Sequence, residues 1–119
     1  MDLIYGLPLQ TVSQFKQTLA RVITLSPDRI ALYSFAHIPW LKKHQTLIDD
    51  TTLPKDDVKL DIFLMARETL LEAGYVPIGM DHFAKPSDDM AVAMLAGKLY
   101  RNFMGYTLKP ADEFLGMGV

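Results

Sequence analysis

The chain has 119 residues, half of them apolar and 22% charged, with a formal net charge of −2. That is enough apolar material for one packed domain, and too little basic excess to hold nucleic acid or an anionic membrane surface. The absence of cysteine excludes disulfides, a thiol nucleophile and thiolate ligation of zinc or of an iron–sulfur cluster by these residues. No apolar run is long enough to span a bilayer, and the first residues lack the layout of a secretory signal, so the expected setting is cytoplasmic.

In chain order, Leu3 to Tyr5 reads as a strand, followed directly by the breaker run Gly6-Leu7-Pro8. A helix is expected from about Thr11, because Thr11 and Gln14 have capping-box spacing and Val12, Phe15, Leu19 and Val22 recur at helical intervals; Ser26-Pro27-Asp28 ends it. Ile30 to Ala36 fits a strand buried on both faces, closed by Pro39, and Trp40 to about Leu53 reads as a polar connection. Pro54 suits the first turn of a second helix. Its Val58, Ile62, Met65, Thr69 and Leu70 form one stripe, and Gly74 stands where a left-handed cap is expected.

Tyr75 to Met80 reads as the next strand, Asp81 to Lys85 as the loop after it, and Ser87 or Asp88 as the cap of a third helix from Asp89 to about Gly97. Tyr100 to Lys109 is aromatic and irregular, and Phe114 to Val119 fits a glycine-bearing strand. Met65, Met80, Met90, Met94 and Met117 suit core filling. The alternation of strands and helices predicts an α/β fold with a parallel sheet and crossover helices. Four strands with three helices leave one sheet face short of cover, which fits part of a (β/α) barrel, with an open flavodoxin-like sheet as the alternative.

In such barrels the chemistry sits at the carboxyl ends of strands, here Gly6 to Gln10, Ala36 to Pro39 and Asp81 to Lys85. Asp2 within the first strand is either an edge carboxylate or a ligand contact. Two imidazoles and a carboxylate, His37, His82 and Asp81, could bind a metal or exchange protons, or could simply be hydrogen-bonded pocket residues. Arg101, with Asn102, Phe103 and Tyr106, could grip a flat carboxylate-bearing ligand, or the segment could be a loop packed on its own aromatics.

Three segments, Asp2-Leu3-Ile4-Tyr5-Gly6-Leu7-Pro8, Tyr33-Ser34-Phe35-Ala36-His37-Ile38-Pro39 and Gly79-Met80-Asp81-His82-Phe83-Ala84-Lys85-Pro86, together resemble the oxygen-independent coproporphyrinogen III oxidases. The resemblance runs from Asp2 to Gly118. It implies a radical S-adenosylmethionine enzyme of haem synthesis. In that family an iron–sulfur cluster cleaves S-adenosylmethionine, the resulting radical takes hydrogen from a propionate, and loss of carbon dioxide leaves a vinyl group. Residues 1–119 would be the later part of a partial TIM-like catalytic barrel, with the cluster-binding part absent. Of two S-adenosylmethionine molecules, the second would touch Asp2 and the backbone of Ala36. His37, Asp81, His82 and Arg101 would be substrate-pocket candidates, with no metal ligand among these residues. The partner implied is a porphyrinogen. The complete enzyme is expected to be monomeric, whereas this chain alone, an internal piece by this reading, is expected to be inactive and to self-associate through uncovered strand edges. Met104 and Thr46 depart from the family pattern, which has Gln and a basic residue there. The related radical S-adenosylmethionine haem chaperone and a metal-dependent hydrolase barrel are the alternatives.

Overall fold

The computed structural model describes residues 1–102, 105–110 and 113. The expected strand at 114–119 lies outside them. Strand β1 (Asp2–Tyr5) leads into helix α1 (Val12–Leu25), whose capping box is present as the spacing predicts: the Thr11 hydroxyl accepts from the Gln14 amide while the Gln14 side chain accepts from the Thr11 amide. Ser26, in the left-handed conformation at φ 53°, closes the helix. Strand β2 (Arg29–Ser34) then pairs parallel to β1, and Phe35 donates to the Tyr5 carbonyl just past their ends.

The connection after β2 is more ordered than expected, holding two short 3₁₀ helices, Lys43–Leu47 and Asp50–Thr52. Helix α2 (Asp56–Glu72) starts one residue after Lys55, so Pro54 precedes the cap and does not open the first turn. Its buried residues are Ile62, Ala66 and Leu70. Gly74, at φ 88°, reverses the chain as the sequence implies.

Strand β3 (Val76–Gly79) is followed immediately by strand β4 (His82–Ala84), joined through Met80 and Asp81. This corrects the expected parallel sheet: the order is β1-β2-β4-β3, with β4 antiparallel to both neighbours. β2 and β3 are not adjacent, because the expected loop after β3 folds back as a strand between them. Met80 turns the hairpin at φ 48° and is 68% exposed, so it is not core filler, whereas Met90 is buried. Helix α3 (Asp89–Leu95) is capped by Asp88. The segment expected to be irregular is a hairpin of β5 (Tyr100–Asn102) and β6 (Gly105–Thr107).

Strand alternation sorts the sheet into two faces. Leu3, Tyr5, Ile30, Leu32 and Phe83 face α1 and α2 and build the main core with Phe15, Leu19, Ile62 and Leu70. Asp2, Ile4, Ala31, Tyr33, His82 and Ala84 face the other way. There α3 and the β5–β6 hairpin cover one end, packing Met90, Ala91 and Tyr106 against Ile78 and Ala84. Ile4 remains 46% exposed at the uncovered end.

Candidate functional site

The uncovered end of that second face carries the polar residues. Register places Asp2, Ala31 and His82 in one row across β1, β2 and β4. Asp81 precedes His82 in the hairpin turn, and its carbonyl accepts from the Leu32 amide at 2.7 Å, which ties the turn to the middle of the sheet. The Asp81 carboxylate lies 2.7 Å from Nδ1 of His82. Tyr33 and Tyr106 both present rings edge-on to the imidazole, with centroids at 6.1 and 6.3 Å.

The β5–β6 hairpin is held against the β3–β4 hairpin by two side-chain-free positions. A Cβ at Gly79 (φ 145°) would stand 2.8 Å from the Tyr106 hydroxyl, and one at Gly105 (φ 133°) would stand 3.3 Å from the His82 ring. Each hairpin thus gives a glycine to the other's ring. Arg101 lies 5.9 Å over the Tyr106 ring, which carries its positive charge to the rim of the same cluster. A cavity of about 310 Å³ is lined by Asp2, Arg29, Ala31, His82, Met90 and Tyr106, among others. A second of the same volume continues past Tyr106 to Lys109.

Two carboxylates, those of Asp2 and Asp81, act on Tyr33 on this face, while Met1 and Arg29 line the cavity beside them. Burial first, then the carboxylates of Asp2 and Asp81, push the Tyr33 phenol above its ordinary value, because phenolate would add a third negative charge beside those two.

Of the expected site residues, the fold brings Asp2, Asp81, His82 and Arg101 around one face. Ala36 and His37 belong to a different hydrogen-bonded group, at the carboxyl end of β2. There the Gln45 amide donates to the Ala36 carbonyl at 3.1 Å and accepts from Ile38, while His37 sits 3.2 Å from both the Gln45 carbonyl and the Asp50 carboxylate. His37, Asp81 and His82 therefore do not converge. Among the described residues, no three His, Asp or Glu side chains stand where they could share a metal ion. Asn102 contributes its backbone pairing to β5, and Phe103 lies outside the described residues.

Tyr33, Gln45 and Lys59 were not expected. Tyr33 reads in sequence as an ordinary strand aromatic, whereas Tyr106 belongs to the segment that either grips a flat ligand or packs on its own aromatics. Lys59 reads as a solvated helix residue, yet its ammonium donates to the Phe35 carbonyl at 2.8 Å and its stem lies across Gly6, where a Cβ would approach within 2.6 Å. Only a loop glycine four residues after a strand-opening carboxylate hints at such a close approach.

Among relatives, the oxygen-independent coproporphyrinogen III oxidase of Thermostichus vulcanus is 51% identical over all 119 residues, which make up 37% of its length. Those of Synechocystis sp. and Escherichia coli are each 49% identical over the whole chain, which corresponds to 26% of either protein. The chain thus spans between a quarter and about two fifths of the length of these curated relatives. No family model matches it. A solved structure of coproporphyrinogen III oxidase from Escherichia coli, described as a radical SAM enzyme, superposes with a TM-score of 0.90 over 99% of this chain and 27% of that one, at 49% identity. By sequence and by backbone, these 119 residues are similar along their whole length to one part of the oxygen-independent coproporphyrinogen III oxidases.

Proposed function

We propose that the chain forms the later part of the catalytic domain of an oxygen-independent coproporphyrinogen III oxidase, as one portion of a partial (β/α) barrel. What carries this reading is half-identity along every residue of the chain joined to a near-superposable backbone. The open face of the sheet is the inner wall of that barrel, and the helices α1 and α2 are its outside. Such a protein works in the cytoplasm as a monomer, converting coproporphyrinogen III to protoporphyrinogen IX by oxidative decarboxylation of two propionates to vinyl groups.

With no cysteine, these residues leave the iron–sulfur cluster and the first S-adenosylmethionine to other parts of the polypeptide. The second S-adenosylmethionine is cationic, and it would be held by the Asp2 carboxylate at the start of β1 and by the backbone of Ala36 past the carboxyl end of β2. Bound, the cluster and S-adenosylmethionine supply the hydrogen-abstracting radical. The chain's own contribution is placement. His82 lines the cavity with Asp81 behind its ring, Arg101 is suited to a propionate carboxylate, and His37 lies beside Ala36 at the rim.

The test is anaerobic assay of the complete polypeptide carrying these residues, with coproporphyrinogen III, S-adenosylmethionine and a reductant. Protoporphyrinogen IX with release of two carbon dioxide molecules per substrate is expected. Tight haem binding without substrate consumption would favour the haem-carrier reading instead.

A further inference from the structure

We infer that His82 is a fixed hydrogen-bond acceptor, through Nε2, for an N–H group of the ligand held on the open face; the matching donor on a porphyrinogen is a pyrrole N–H. This rests on the proposal that the open face holds the substrate. The geometry begins at Asp81, whose ionised carboxylate can only accept, so at 2.7 Å it requires the proton on Nδ1 of His82. In the neutral ring Nε2 then keeps its lone pair.

The ring cannot readily turn to offer another atom. Tyr33 and Tyr106 hold it edge-on from two sides, at interplanar angles of 86° and 82°. Gly105 passes close to Cε1 and Nε2, where a Cβ would stand at 3.3 and 3.6 Å. His82 lines the same cavity as Asp2 and Tyr106, in the row that runs through Ala31, so Nε2 is the acceptor left for the substrate beside the carboxylate proposed for the second S-adenosylmethionine. Beside His82 the carboxylates of Asp2 and Asp81 disfavour a propionate and favour a donor, and Arg29 on the same cavity is engaged by Asp88 at 2.8 Å. A porphyrinogen carries hydrogen on all four ring nitrogens, so its centre has donors and no competing lone-pair acceptor. The propionates then extend toward Arg101 and away from the carboxylates.

The experiment compares anaerobic binding of coproporphyrinogen III to the complete polypeptide and to three variants. His82→Phe keeps a flat ring but lacks the acceptor, and affinity is expected to fall roughly tenfold to a hundredfold. His82→Gln returns an amide oxygen near the Nε2 position and should stay within about threefold of the parent. Ile4→Trp obstructs the open face without touching His82 and should abolish binding. Nitrogen-15 spectra of the unaltered protein should show Nδ1 protonated and Nε2 as the lone-pair nitrogen, with the Nε2 signal moving when coproporphyrinogen III is added.

Full affinity in His82→Phe, or a proton resident on Nε2, overturns the assignment. If His82→Phe binds normally while Ile4→Trp does not, the acceptor role alone falls. If Ile4→Trp binds normally, the ligand lies elsewhere, and the site reading falls with it.

Discussion

The two faces of one four-stranded sheet have been put to opposite uses. Toward α1 and α2 the sheet presents Ile30, Leu32 and Phe83, each almost wholly buried, and toward the other side it presents Asp2 and His82 on a cavity, with Tyr33 edge-on to His82. His82 and Phe83 are consecutive, so a change of face takes one residue. The lesson is that stability and chemistry here are separated by side-chain alternation and not by distance along the chain. Burying one large side chain on the helical face contributes about 1.5 to 3 kcal/mol. The polar face returns little of that.

The sharpest way to break this division is Phe83→Ala, which should lower unfolding free energy by about 3 to 5 kcal/mol. His82→Ala, one residue away on the half-exposed face, should cost no more than about 1 kcal/mol. Denaturant titration of both variants decides it, and equal losses would mean that the two faces share the load. Next in size is Gly79→Ala, which forces a Cβ onto an unfavourable φ and into the Tyr106 ring, for an expected loss of about 1 to 3 kcal/mol. Gly74→Ala also strains a positive φ, but it has open space around it, so its cost should be nearer about 1 kcal/mol. Hydrogen exchange should show the β5–β6 amides loosened in the first variant and unaffected in the second.

A smaller effect is expected from Asp2→Asn in the complete polypeptide. Affinity for the second S-adenosylmethionine should fall roughly tenfold, with cluster absorption and thermal stability retained. Equilibrium binding counted per polypeptide measures it, and unaltered stoichiometry and affinity would return Asp2 to the status of an edge carboxylate.

The mildest concerns Tyr33. The folded chain holds its phenolic proton more tightly than the unfolded chain does. Its contribution to stability is therefore complete below the ordinary tyrosine value of 10.0 and is lost as pH rises beyond it toward the raised folded value. Ultraviolet titration, with Tyr33→Phe subtracted, should show a midpoint above that value. In Asp2→Asn the midpoint should move back only part of the way, since burial is the larger cause.

The helices were legible because each carries its own signal. Thr11 with Gln14, the spacing of Phe15, Leu19 and Val22, and Gly74 past the end of α2 are all local chemistry. β4 was not legible, because three residues beside Gly79 and Asp81 look like turn punctuation, and nothing local reveals that Phe83 fills the core under β2. That single omission produced the expected all-parallel sheet. The β5–β6 hairpin failed for the same reason of length. At the site, Asp81, His82 and Arg101 stood out as chemistry-bearing types, but their grouping depends on β4 lying next to β2. His37 looked equivalent to His82 in sequence, and only the fold assigns it to Gln45 and Asp50.

Lys59 has a consequence for how this sequence can drift. Its stem occupies the space beside Gly6 while its ammonium closes the end of β2. A side chain at position 6 would meet both a backbone at φ 83° and the Lys59 stem, so the lysine must swing away from Gly6 or be replaced. A shorter residue at 59 makes room but uncaps the Phe35 carbonyl. The two sites, 53 positions apart, are therefore coupled: replacing a loop glycine loosens the cap that a lysine on a distant helix places on β2.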